Sequence, residues 1–168
     1  MNTMGRGRRI ETSMSKKIRI GVVGFGRMGR GFVSAMQQDD RYEIVWICDS
    51  HPATRELAGR TVPTARLTDD YHELIADDSL HAVGLFTLAD ARPEQIRAAL
   101  KANLHVLAEK PIAPDAPTEW ALVQEIEKTN RIVAVNLFNR NAWYHKEMQA
   151  FIAEGEIGDI GIIRVSHM

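Results

Sequence analysis

The 168-residue chain holds one cysteine, Cys48, so no disulfide can form within it. Cys48 falls in an apolar run, where a free cysteine acts as a small buried hydrophobe in a reducing compartment rather than as a reactive thiol. No run of about 18 apolar residues occurs, so no membrane-spanning helix is expected. Charge of one sign is not in excess. Lys and Arg number 21, Asp and Glu 22, and the net charge is −1. That balance gives no reason to expect nucleic acid or an anionic membrane surface as a partner. The six histidines, at positions 51, 72, 81, 105, 145 and 167, pair with no other ligand at metal spacing, so no metal is expected. Internal repeats and low-complexity segments are also missing. Met1 to Lys17 has no apolar core of the kind a secretory signal needs. It carries Arg6, Arg8, Arg9, Lys16 and Lys17 against Glu11 and reads as a disordered leader over 1–16, with Met14 a candidate start. What remains is a cytoplasmic globular chain of ordinary composition, 45% apolar, long enough for one domain with a real core.

The most informative stretch runs from Ile18 to Arg30. An apolar run, Ile18 to Val23, ends at Gly24, Gly26 and Gly29, and a helical pattern follows. Strand, glycine turn and helix form the context in which G-x-G-x-x-G signals dinucleotide binding. Gly24 permits the tight turn, Gly26 lets backbone approach a pyrophosphate, and Gly29 lets the helix lie close to the strand. Phe25, Arg27 and Met28 lie in the same loop and first turn, where free N–H groups and the helix dipole face an anion. A second apolar, β-prone run, Tyr42 to Cys48, closes at Asp49, roughly 20 residues beyond the last glycine. A carboxylate there accepts hydrogen bonds from the ribose hydroxyls and repels a 2′-phosphate. NAD is therefore the favoured cofactor, and His51 and Arg55 nearby keep NADP open.

Farther along, β and α patterns alternate. Met28, Phe32, Ala35 and Met36 mark an inward helix face. His51 to Arg60 reads as a helix with Pro52 in its first turn, Thr61 to Thr68 as a loop with a short third strand, and Tyr71 to Ala76 as one or two helical turns. His81 to Phe86 is the fourth strand, ending at Thr87. A helix from Pro93 turns Ile96, Ala99 and Leu100 inward and stops at Asn103, a residue tolerant of the left-handed C-cap conformation. Leu104 to Ala108 is the fifth strand. Ala116 to Thr129 is helical, with Trp120, Val123 and Ile126 apolar. Arg131 to Asn136 is the sixth strand. Tyr144, Met148, Phe151 and Ile152 mark a last amphipathic helix, broken by Gly155 and Gly158, and Asp159 to His167 reads as a final strand. Such alternation predicts an α/β fold, a doubly wound parallel sheet of the Rossmann kind with helices on both faces. Ligands in these sheets bind beyond the carboxyl ends of the strands, where Thr87, Glu109 and Asn136 fall. The predicted organisation is a Rossmann domain over 17–142, followed over 143–168 by a linker helix and the first strand toward a further domain.

Three motifs together resemble a known family: Gly24-Phe-Gly-Arg-Met-Gly29, Leu107-Ala-Glu-Lys-Pro111 and Phe138-Asn-Arg140, with Glu154-Gly-Glu-Ile-Gly158 completing the set. From about Lys17 to Met168 the chain resembles the N-terminal half of the Gfo/Idh/MocA oxidoreductases. The resemblance implies NAD(P) in the Rossmann half and hydride transfer between nicotinamide and a carbon of a sugar or cyclitol substrate. It implies that Lys110 contacts substrate and assists proton transfer, a role suited to a partly buried lysine of lowered pKa. Glu109 is then placed to hold or tune Lys110, and Arg140 to reach the nicotinamide or substrate. The resemblance also suggests a cis peptide before Pro111. Two departures concern the nicotinamide side. Thr87 is followed by Leu88 where the family often has proline, and Arg92 stands about where a histidine is common. Family members carry a second α/β domain, expected to be missing here, that supplies most of the substrate pocket and the surface through which a homo-oligomer forms.

Two other readings compete. The chain is a non-catalytic NAD(H)-binding module or a truncated inactive fragment, in keeping with its length. Or it is another two-domain Rossmann dehydrogenase, of the aspartate or dihydrodipicolinate reductase type, against which the Glu-Lys-Pro context argues.

Overall fold

A computed structural model describes residues 17–164. The leader expected over 1–16 and the last residues of the expected final strand, 165–168, lie outside the described residues. Six strands, β1 (Ile18–Val23), β2 (Tyr42–Cys48), β3 (Arg66–Thr68), β4 (Ala82–Leu85), β5 (His105–Ala108) and β6 (Val133–Val135), form one sheet in the order β3-β2-β1-β4-β5-β6. Every pairing is parallel. The order reverses between β1 and β4, which makes their carboxyl ends the switch point where such sheets bind ligands. The helices are α1 (Arg27–Met36), α2 (Pro52–Thr61), α3 (Tyr71–Ile75), α4 (Arg92–Lys101), α5 (Ala116–Ile126) and α6 (Trp143–Ala153), with a 3₁₀ turn at Phe138–Asn141.

Two cores sandwich the sheet, as a parallel sheet requires. Under α1 and α2 lie Ile20, Val22, Phe25, Val33, Ile44, Ile47, Ala58 and Val62. On the other face, under α3, α4 and α5, lie Val45, Leu74, Val83, Leu85, Ile96, Val106 and Leu122 among others. Cys48 is buried there, and burial pushes its thiol up to about 11, with the neighbouring Asp49 charge acting the same way. Asn103, directly after the α4 C-cap Ala102, adopts φ 64°, the left-handed conformation expected where the helix stops.

Two expectations need correction, on the inward face of α1 and on the final strand. The inward face of α1 is Gly29, Phe32, Val33 and Met36; Met28 is 39% exposed and Ala35 is exposed. Gly29 sets this phase, because its close approach to the turn fixes which side of the helix meets the sheet. Of the apolar residues in α5, Leu122 is the buried one and Trp120, marked only as apolar in the sequence, is 66% exposed. The strand expected from Asp159 does not form over Asp159 to Arg164. A strand needs a partner ladder, and among the described residues this segment meets none. Ile162 and Ile163 stand exposed beyond Gly158, which turns the chain at φ 63°. The amphipathic helix α6 does form, packed chiefly on the 3₁₀ turn, with Tyr144 donating to Asn139 Oδ1 at 3.0 Å. Its apolar face, Tyr144, Met148, Phe151 and Ile152, is exposed.

Candidate cofactor-binding site

The turn after β1 is built from backbone contacts that only glycine permits. Gly24 adopts φ +87°, and a Cβ there would lie 2.8 Å from the Phe86 carbonyl oxygen. At Gly29 a Cβ would lie 2.0 Å from the Gly24 oxygen, so helix and turn touch backbone to backbone. Gly26, the N-cap of α1, is different. It has φ −72°, and a Cβ would meet nothing within 4 Å. Its bare backbone faces open space at the mouth of a cleft, the surface a pyrophosphate needs.

The cleft, of about 490 Å³, is lined by Gly24, Gly26, Asp49, His51, Asp69 and Thr87, among others. Asp49 forms part of its wall, with 11% of its side chain exposed. Its Oδ2 accepts the Phe25 N–H at 2.8 Å and its Oδ1 the His51 N–H at 2.9 Å. The acid thus ties the glycine turn to the start of α2, and each oxygen keeps a further lone pair for ribose hydroxyls. Phe25 lies in the turn, but its ring is 1% exposed and belongs to the core. Arg27 and Met28 are exposed on the first turn of α1. Thr87, half-buried, donates to Gln95 Oε1 at 2.5 Å.

A second cleft, about 330 Å³, lies at the ends of β5 and β6 and is lined by Lys110, Asn136, Leu137, Asn139 and Arg140. Glu109, only 6% exposed, accepts a hydrogen bond from Asn136 Nδ2 and another, at 3.2 Å, from the Lys110 backbone N–H. Its hold on Lys110 therefore acts through the backbone. The Lys110 and Arg140 side chains are exposed, so this part of the chain does not provide the partial burial expected of Lys110. The Lys110–Pro111 peptide is cis, as expected.

Arg92 has a larger structural part than its sequence position indicates. It is 6% exposed, and its guanidinium donates to the carbonyl oxygens of Thr87 and Pro111, bridging the loops after β4 and β5. Burial lowers its pKa, an effect the Glu109 charge opposes, and its Nε has no partner among the described residues. An arginine nonetheless keeps its proton in a protein. Asp69, Tyr71 and Gln95 also line the larger cleft and escaped the sequence reading. Asp69 follows β3 directly, and its place at a strand's carboxyl end was the available signal. Gln95 and Tyr71 carried none, because their roles depend on how α3 and α4 pack.

Sheet order, glycine turn, and an acid closing β2 define a dinucleotide-binding Rossmann domain. Residues 18–137 match the Gfo/Idh/MocA family, described as an oxidoreductase family with an NAD-binding Rossmann fold, and the chain belongs to it. An inositol 2-dehydrogenase of Arthrobacter sp. (strain FB24) is 25% identical over 92% of this chain and 46% of its own length. A 1,5-anhydro-D-fructose reductase of Ensifer adhaerens is 33% identical over 68% of this chain and 33% of its own. Among solved structures, the WlbA dehydrogenase from Bordetella pertussis, in complex with NADH and UDP-GlcNAcA, superposes with a TM-score of 0.78 at 28% identity, covering 85% of this chain and 44% of that one. The chain spans about half the length of the curated relatives it matches, or less. Among the described residues no helix is long and apolar enough to cross a membrane.

Proposed function

We propose that this chain is the cofactor-binding part of an NAD(P)-dependent oxidoreductase that moves hydride between nicotinamide and an alcohol carbon of a sugar or cyclitol. Residues 17–142 are the cofactor domain, and α6 with the residues beyond it is a connecting segment. The observation that carries the reading is the pairing of bare backbone at Gly26 with the Asp49 carboxylate across one cleft. The site fits a dinucleotide. Gly24, Gly26 and Gly29 leave room for phosphates, the first turn of α1 offers N–H donors through Arg27 and Met28, and Asp49 meets the ribose. Thr87, Glu109, Asn136 and Arg140 follow the ends of β4, β5 and β6, on the side where the nicotinamide would lie. The nicotinamide supplies or accepts the hydride. Lys110 is then the group placed to take the hydroxyl proton as an alcohol is oxidised, or to return it in reduction. Glu109 and Asn136 fix the Lys110 backbone, and the Arg92 bridge fixes the adjacent loop.

Asp49 favours NAD, since its charge would repel a 2′-phosphate. Calorimetric titration with NADH and NADPH tests this, on the wild type and on Asp49→Ala. The expected result is saturable NADH binding, weaker NADPH binding, and loss of that preference in the variant. Absence of binding by either dinucleotide would refute the proposal.

A further inference from the structure

Three charged side chains gather where β2 and β3 end. Asp49 closes β2, Asp69 follows β3, and Arg55 rises from the start of α2. One Arg55 Nη donates to the Asp49 backbone oxygen at 2.7 Å, and the other lies 3.1 Å from Asp69 Oδ2. Asp49, His51 and Asp69 line the larger cleft, and Arg55 is not among its lining residues. The Arg55 side chain is 22% exposed and that of Asp69 is 65% exposed. The guanidinium is thus held against the protein by an acid that itself faces the cleft.

Building on the cofactor reading above, we propose that Asp69 determines cofactor specificity by latching Arg55 away from the adenosine ribose. With the latch closed, the fork of donors that would clamp a phosphate is already engaged by a carboxylate and a carbonyl. Asp49 and Asp69 together outweigh the single Arg55 charge and leave the ribose end of the cleft negative. A 2′-phosphate, carrying close to two negative charges, meets repulsion there and finds no free fork. Removing the Asp69 charge neutralises this end of the cleft and frees two N–H groups of a residue already anchored through Asp49. Selectivity therefore has two layers. Asp49 selects for the ribose hydroxyls, and Asp69 silences the nearby arginine that would otherwise reward a phosphate.

A brace joining the ends of β2 and β3 would use the same contacts, so the test reads a quantity that a brace would not move: the ratio of NADPH to NADH affinity. Titration calorimetry at fixed ionic strength compares the wild-type chain with Asp69→Asn, Asp69→Glu and the double variant Arg55→Ala/Asp69→Asn. Asp69 is largely exposed, so these changes open no core, and a thermal melt of each confirms folding. Asp69→Asn is expected to shift the ratio toward NADPH by about tenfold, the scale of one charge-assisted hydrogen bond. Asp69→Glu keeps the charge and should keep the ratio nearer that of the wild type. The double variant should lose the gain. A ratio unmoved by Asp69→Asn, with NADH still bound, overturns this inference alone, as does a gain that survives removal of Arg55. Failure of the wild type to bind NADH overturns the cofactor reading and this inference with it.

Discussion

Gly26 and Gly29 stand three residues apart in one motif, yet the same substitution should have opposite consequences at the two. A Cβ at Gly29 would sit 2.0 Å from the Gly24 oxygen and 3.1 Å from the Gly24 carbonyl carbon. Ordinary carbon–oxygen contact is well over 3 Å, so α1 must move off the turn by about an ångström. The obstacle is backbone, which cannot rotate aside as a side chain would. Core overpacking of this sort typically costs about 1–3 kcal/mol. Here the upper end applies, because Val33 and Phe32 of the same helix are seated in the core. For a chain of this size that corresponds to a fall in Tm of roughly 5–10 °C. Gly26→Ala meets nothing within 4 Å and sits at φ −72°, so stability should hold or rise by up to about 1 kcal/mol as the unfolded chain loses freedom. Its new methyl group, however, projects into the space proposed for a pyrophosphate, and NADH affinity should fall by about tenfold or more. Thermal melts and NADH titrations of both variants form the assay. Gly26→Ala binding NADH as the wild type does would refute the placement of the phosphates, and Gly29→Ala melting with the wild type would refute the close approach of helix and turn.

Further predictions follow from the core and from titrating groups. Leu122→Ala should destabilise the fold by about 2–5 kcal/mol, whereas Trp120→Ala, on the exposed side of the same helix, should change stability by about 0.5 kcal/mol or less; denaturant melts separate them. Cys48, raised to about 11 by burial, should resist alkylation near neutral pH until the chain unfolds. Because its folded pKa lies above the ordinary thiol value, its contribution to stability is full below pH 9 and declines as pH rises from 9 to about 11. Burial also raises the Tyr71 hydroxyl, so a Cys48→Ala melt should show a smaller loss over that window than the wild type, with the Tyr71 part remaining above pH 10. Asp77 is held down at about 2, first by the Ser79 hydroxyl and then by the Trp46 indole N–H, which donates at 2.8 Å. With its folded pKa depressed, its contribution is present above pH 4 and lost as pH falls toward 2. Trp46 fluorescence should report that change in the wild type, and the acid limb of the profile should flatten in Asp77→Asn.

The glycine spacing, the acid closing β2 and the Asn103 stop were readable from local chemistry, because each demand is made by the backbone at one position. What stayed hidden depends on tertiary approach. Met28 and Ala35 looked inward because apolar residues recur there at helical spacing, but the contact at Gly29 rotates α1 so that Val33 takes the buried position. Leu122 was not singled out among the apolar residues of α5, because only the packing against the sheet shows that it, and not Trp120, is the one buried. Lys110 was expected to be partly buried, and β5 instead delivers it to an exposed rim. The Arg55–Asp69 pair links residues on either side of β3, so no periodicity within one element could reveal it. The Arg92 bridge was equally invisible, since a buried arginine is recognised only by the carbonyls it finds.

The position of Asp49 has a bearing on how such a domain can change over evolutionary time. The carboxylate proposed to select the ribose also secures the N–H groups of Phe25 and His51, so on that proposal ligand preference and local architecture share one side chain. A lineage that exchanges this acid for a neutral residue to accept a different dinucleotide simultaneously unfastens the glycine turn from α2. The His51 N–H is exposed and passes to water, but the part-buried Phe25 N–H is left with a penalty of up to about 1–3 kcal/mol, a large fraction of what a domain this size holds in reserve. Drift at this position is therefore gated by prior gains in stability elsewhere, and changes at Asp69, which anchors no backbone donor in the turn, offer the less obstructed route to a new cofactor.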